Sequence, residues 1–132
     1  MMELLKLIAL SCFIILGSGI HAQEKNAIEK KYEMKTYYLV FLKKGANRTQ
    51  DSTTVSKLQV QHIAHLDKMA EEGKMDICGP LMEEGDIRGI CIYNVATKEE
   101  AEKLANDDPM VKAGRLKVEI HPFYSAKGAS LK

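Results

Sequence analysis

The chain has 132 residues, a formal net charge of +1, 45% hydrophobic and 28% charged residues, and three cysteines. This length allows one small domain with a terminal extension. The near-neutral balance, with no basic run and no aromatic platform, gives a nucleic-acid partner no footing.

At the N-terminus, MMELLK precedes the apolar run LIALSCFIILGSGI, and Ile20-His21-Ala22 resembles the small-residue cleavage pattern of a secretory signal. The run is 14 residues long, short of the roughly 20 that a spanning helix needs. Residues 1–22 therefore read as a signal peptide, with Gln23 as the mature N-terminus and a periplasmic or secreted destination. A retained membrane anchor is the alternative. A lipoprotein through Cys12 fits less well, because that cysteine interrupts the middle of the run. Cleavage removes one acid and one base, Glu3 and Lys6, so the net charge stays +1 and no stable membrane anchor remains. A domain of this size buries only about 60–70% of its unfolded surface, so oligomerisation is a natural support.

Residues 23–35 are a polar leader, 36–125 the domain and 126–132 a tail. Thr36–Lys43, TYYLVFLK, is aromatic, β-branched and apolar on both faces, which predicts a central strand. A polar loop follows, in which the sequon Asn47-Arg48-Thr49 reads as chance and Asp51 or Ser52 caps the next helix. That helix runs over 52–73 and stops at Gly73. Met75–Met82 and Ile87–Val95 read as two strands around the turn at Glu84-Gly85. Thr97-Lys98-Glu99-Glu100 is a capping box opening a short helix, which ends near Asp107-Asp108-Pro109 because the residue before proline is pushed out of helical conformation. Leu116, Val118 and Ile120 then alternate with Lys117, Glu119 and His121, a half-buried strand.

The order β-α-β-β-α-β, without repeats, predicts a ferredoxin-like α+β sandwich. Its two helices cover one face of the sheet. The other face carries alternate residues of TYYLVFLK, an apolar surface that predicts a homodimer with sheets packed face to face. In the expected strand order 4-1-3-2 the second strand is an edge. An edge or a bulge suits Pro80, which has no N–H for a ladder; a bulge at Gly79-Pro80 is the expectation.

One residue breaks the pattern. At about 100° per residue, Val55, Leu58, Leu66 and Met69 of the long helix fall within roughly 80° of arc, and His62 lands near its middle. A histidine on an apolar stripe needs a polar partner. If Glu84-Gly85 turns a hairpin, Cys78 and Cys91 face each other. They read as a pair of buried free thiols, and a cross-strand disulfide, which an oxidising compartment permits, is the alternative.

The chain resembles the YCII-related domain proteins. Three pieces carry the resemblance: Gln61-His62-Ile63-Ala64-His65-Leu66 in the first helix, Cys78-Gly79-Pro80 in the second strand, and Asp108-Pro109-Met110-Val111-Lys112-Ala113-Gly114 after the second helix. The last, of form D-P-x-V-x-A-G, is the most specific. The resemblance implies a ferredoxin-like fold of the dimeric α/β-barrel type and a histidine–aspartate pair in a pocket, here His62 and Asp108. Some members are similar to dehydrochlorinases of hydroxylated aromatic rings. Many carry a serine after the glycine of the third strand; here Gly89 is followed by Ile90. His65, Gly79, Pro80 and Ile90 are candidate pocket residues.

A carboxylate that accepts a hydrogen bond from one ring nitrogen fixes the tautomer and leaves the other nitrogen as an acceptor. That arrangement suits proton abstraction from a small organic substrate and requires no metal or organic cofactor. The expected function is thus a small lyase or isomerase. The alternative is a non-catalytic ligand-binding or accessory dimer in which the pair is a structural clamp. His65 and His121 read as half-buried and surface residues, and Asp107 as a surface carboxylate.

Overall fold

The computed structural model describes residues 20–132. Most of the expected signal peptide, residues 1–19, lies outside the described residues. The chain divides into two compact units, one of them Thr36–Tyr124 and the other containing the segments up to Lys35 and from Ser125. In the latter, residues 20–31 are helical, and Lys127 bonds Glu33 through its backbone N–H (2.8 Å) and its ammonium (2.9 Å). No helix among the described residues is long and apolar enough to cross a membrane.

The elements are β1 (Met34–Lys44), α1 (Ser52–Glu71), β2 (Met75–Pro80), β3 (Ile87–Tyr93), α2 (Lys98–Asn106), α3 (Pro109–Lys112) and β4 (Leu116–Ala126). The sheet order is β2-β3-β1-β4, the ferredoxin-like arrangement that the element order predicts, with β1 central and β2 at an edge. The caps are local chemistry. Asp51 accepts from the Thr54 N–H at 2.8 Å to open α1, and Thr97 accepts from the Glu100 N–H at 3.2 Å to open α2. Gly73, just beyond the end of α1, adopts φ +69°, a conformation that favours glycine. The single turn α3 and the extension of β4 to Ala126 go beyond the pattern reading, since one helical turn is too short to show a period.

Alternation sets the two sheet faces. Tyr38, Val40 and Leu42 of β1 pair with Tyr93, Cys91 and Gly89 of β3, all buried, and join Met69, Ala101, Ala105 and Ile120 in the core. The residues between them, Leu39, Phe41, Ile90 and Ile92, lie on the opposite face and are half-buried.

Two expectations about β2 need correction. Gly79 pairs with Ile90 and Pro80 with Gly89 in continuous register, and the irregularity lies between Met75 and Ile77. The missing proline N–H is harmless on an edge strand, so no bulge is required. The free-thiol reading of the cysteines also fails. Cys78 and Cys91 are directly paired in the register and joined, with S–S 2.08 Å and Cα–Cα 4.0 Å.

Candidate functional site

His62 is 8% exposed and Asp108 2% exposed, the two buried polar or charged side chains among the described residues. The His62 Nδ1–H donates to Asp108 Oδ2 at 2.5 Å. The other carboxyl oxygen, Oδ1, accepts from the Met110 N–H at 2.8 Å and caps α3. Both oxygens of Asp108 are therefore committed, one to the ring and one to the turn that carries it. Pro109 at the first helical position has no N–H to satisfy.

Donating from Nδ1 to the Asp108 carboxylate places the ring proton there and leaves Nε2 as the lone-pair nitrogen. No fully buried side-chain nitrogen or oxygen lacks a partner among the described residues, and Nε2 forms no bond to the protein, so it opens to the cavity that His62 lines. Tyr93 is buried behind the pair. Burial, reinforced by the charge of Asp108, pushes its hydroxyl above the ordinary phenol range, so it stays protonated.

The cavity has a volume of about 360 Å³ and lies between α1 and the end of the sheet where β2, β3 and β4 meet it. From α1 it is lined by Val55, Gln59, His62, Ile63 and Leu66, which at about 100° per residue share one face of roughly 100°. Met69 lies on the other flank of His62 and is buried at 2% exposure. The histidine thus stands on the seam where the helix leaves the core and begins to roof the cavity. Its position on an apolar stripe is explained by this split face.

The D-P-x-V-x-A-G turn also shapes the entrance. Gly114 adopts φ +71°, which favours glycine. Its carbonyl accepts from the Asn47 N–H at 3.0 Å, and the Ala113 carbonyl accepts from Asn47 Nδ2 and Gln50 Nε2, both at 3.2 Å. Thr49 donates to Asn47 Oδ1 at 3.1 Å, so the sequon residues clamp the β1–α1 loop onto this turn. Arg48 and Arg115, one from each side of the clamp, both line the cavity.

Of the pocket residues read from the sequence, Gly79 and Pro80 line the cavity with His62, and so does Cys78. His65 does not: its Nε2–H donates to the Leu104 carbonyl at 3.0 Å and ties α1 to α2. Ile90 does not either, because strand alternation places it on the far sheet face; a hydroxyl at that position would point away from His62. His121 is exposed and pairs with Glu119 at 2.8 Å, and Asp107 pairs with Lys112 at 3.2 Å, both on the surface. Sequence reading missed Arg48, Gln59 and Arg115. The signal for Arg115 was its place directly after the glycine of the motif; the loop residue Arg48 carries none. Among the described residues no group of three or more His, Cys, Asp and Glu side chains is placed to hold a metal ion.

The YCII-related domain family matches residues 36–124. Among solved structures, the chain is similar to a 5-chloro-2-hydroxyhydroquinone dehydrochlorinase from Burkholderia phenoliruptrix AC1100, solved in complex with 2,5-dihydroxybenzoquinone. The identity is 20%, the TM-score 0.49, and the alignment covers 64% of this chain and 90% of that one. No curated protein matches the chain.

Proposed function

The chain belongs to the YCII-related domain family, and on that premise we propose that it is a small lyase or isomerase in which His62 removes a proton from a small organic substrate. The observation that carries this reading is the division of labour on the imidazole: Nδ1 is bound to Asp108 at 2.5 Å, while Nε2 is free beside an open cavity. Asp108 acts as a positioning residue that holds the ring and its tautomer. A base placed this way contributes about 10²–10⁴-fold to a proton transfer. A structural clamp would need only the bond between the two side chains, not a cavity against the second nitrogen.

Two further parts belong to the reading. The signal-like N-terminus and the Cys78–Cys91 disulfide support export to an oxidising compartment. The apolar pairs Leu39–Ile92 and Phe41–Ile90 on the sheet face away from the helices support a homodimer through that face.

The test is hydrogen–deuterium exchange at activated C–H positions of a panel of small carbonyl and phenolic compounds in heavy water. The wild-type protein should accelerate exchange for at least one compound, and H62A and D108N should lose most of the acceleration. Equal exchange with wild type and H62A across the panel would remove His62 as a base. For the assembly, light scattering should report a dimer that F41E converts to a monomer.

A further inference from the structure

We infer that the cavity binds a small organic carboxylate, its acid group held by Arg115 and Arg48 and its apolar body lying beside His62. This rests on the reading above only in taking the cavity as the place where His62 meets its ligand. The cationic side chains lining it are Arg48, Arg88 and Arg115, and no aspartate or glutamate lines it. Asp108 stands behind His62, not in the cavity wall.

The three arginines are not equivalent. Arg88 is engaged, 3.6 Å from the Glu84 carboxylate and 3.4 Å from the Glu83 carbonyl. Arg48 and Arg115 form no ion pair among the described residues. Arg48 donates through Nη1 to the Arg115 carbonyl at 2.9 Å, and Arg115 donates through Nη1 to Gln50 Oε1 at 3.4 Å. Each guanidinium carries five N–H donors, so most remain uncommitted. The first of these bonds also ties the Arg48 guanidinium to the backbone of Arg115, at the clamp between the β1–α1 loop and the D-P-x-V-x-A-G turn.

Two cations without counter-charges beside an apolar wall make a site that favours an anion. The guanidinium fork matches a carboxylate through paired N–H bonds, which a lysine could not reproduce. The remaining wall, with Leu42, Val55, Leu66, Met110 and Leu116, is apolar. The volume of about 360 Å³ sits near the small end of ordinary ligand sites, roughly 300–1,000 Å³. An acid group on a compact apolar body satisfies both halves of this lining. Inorganic phosphate satisfies only the charged half, and a neutral amide only the apolar half.

The experiment titrates the full chain with benzoate, benzamide and inorganic phosphate by calorimetry, in wild type, R48Q, R115Q and the double variant. Benzoate should bind at least about tenfold more tightly than either other probe. Each single variant should weaken benzoate binding, and the double variant should weaken it by about tenfold or more, as expected for charge-assisted bonds. A melting curve confirms that each variant is folded; R48Q, whose side chain is exposed, carries the test alone if R115Q does not fold. Benzamide or phosphate binding as well as benzoate overturns the proposal, as does unchanged benzoate affinity in the folded variants. The proton-exchange assay separates the two readings. Benzoate binding that depends on the arginines, together with no proton exchange by the wild type, keeps the carboxylate site and removes the base.

Discussion

Gly45 and Gly114 meet backbone to backbone, so closely that a methyl group on Gly45 would lie 2.0 Å from the Gly114 carbonyl oxygen. The Gly45 N–H also donates to the Arg115 carbonyl at 2.9 Å. This contact joins the end of β1 to the turn that carries Asp108 at its start and Arg115 just beyond its end. It is the hinge point on which the site is assembled.

G45A should therefore destabilise the protein by about 1–3 kcal/mol or more, as overpacking against backbone does. G79A is the control: a methyl group there meets nothing within 4 Å, so the fold should be unaffected. Urea denaturation of both variants checks the contrast; equal stability would show that the close approach relaxes freely.

D108A should cost about 3–5 kcal/mol, because it breaks a buried pair and uncaps α3 together. D108N keeps an oxygen for the Met110 N–H and should cost less, about 1–2 kcal/mol. Its amide donates toward His62 Nδ1, which moves the ring proton to Nε2 and removes the lone pair from the cavity. Nitrogen-resolved NMR of the His62 ring would read the tautomer change directly, and an unaltered tautomer would contradict it.

H62L leaves the Asp108 carboxylate buried without its partner and should cost about 3–5 kcal/mol. Adding D108N to H62L should recover a large part of that loss, a non-additivity that a double-mutant cycle measures. Strict additivity would mean that the two side chains are not energetically coupled.

Reduction of the Cys78–Cys91 disulfide, whose cysteines are 13 residues apart, should lower stability by up to about 3 kcal/mol, the loop-closure value for a loop of about 15 residues. Denaturation with and without reductant, with alkylation and mass measurement to count thiols, gives the comparison. Two alkylated cysteines in the native, unreduced mature protein would refute the bond.

Asp51 sets one pH limb. Its hydrogen bonds to Thr54 hold its carboxyl below the usual carboxylate value of 3.8. A carboxyl with a depressed folded-state pKa stabilises above its unfolded value and loses that contribution as pH falls through the folded value. Wild type should therefore exceed D51A in stability above about pH 4, and the gap should close as the pH is lowered further. A gap independent of pH would assign the effect to something other than the charged cap.

Much of this architecture is local and was readable. Leu116, Val118 and Ile120 alternate with polar residues, Asp51 and Thr97 cap, Gly73 stops α1, and the position of the Glu84-Gly85 turn sets which β2 residue faces which β3 residue. Each depends on a few adjacent residues and on fixed backbone periods. His62 was visible as a violation of one such period, and the D-P-x-V-x-A-G resemblance supplied its partner, Asp108, across 46 positions.

Tertiary structure alone decided what surrounds that pair. Periodicity placed His62 at the centre of an apolar stripe, but only packing shows that the stripe divides, with Met69 on the core and Val55, Ile63 and Leu66 over a cavity. Arg48 and Arg115 are ordinary loop residues in the sequence. They become a charged mouth because Gly45 and Gly114 bring two distant loops into contact, and no local preference encodes a contact between residues so far apart. Strand alternation settled the last point: it carries Cys78 and Cys91 to one face, where they bond, and sends Ile90 to the other.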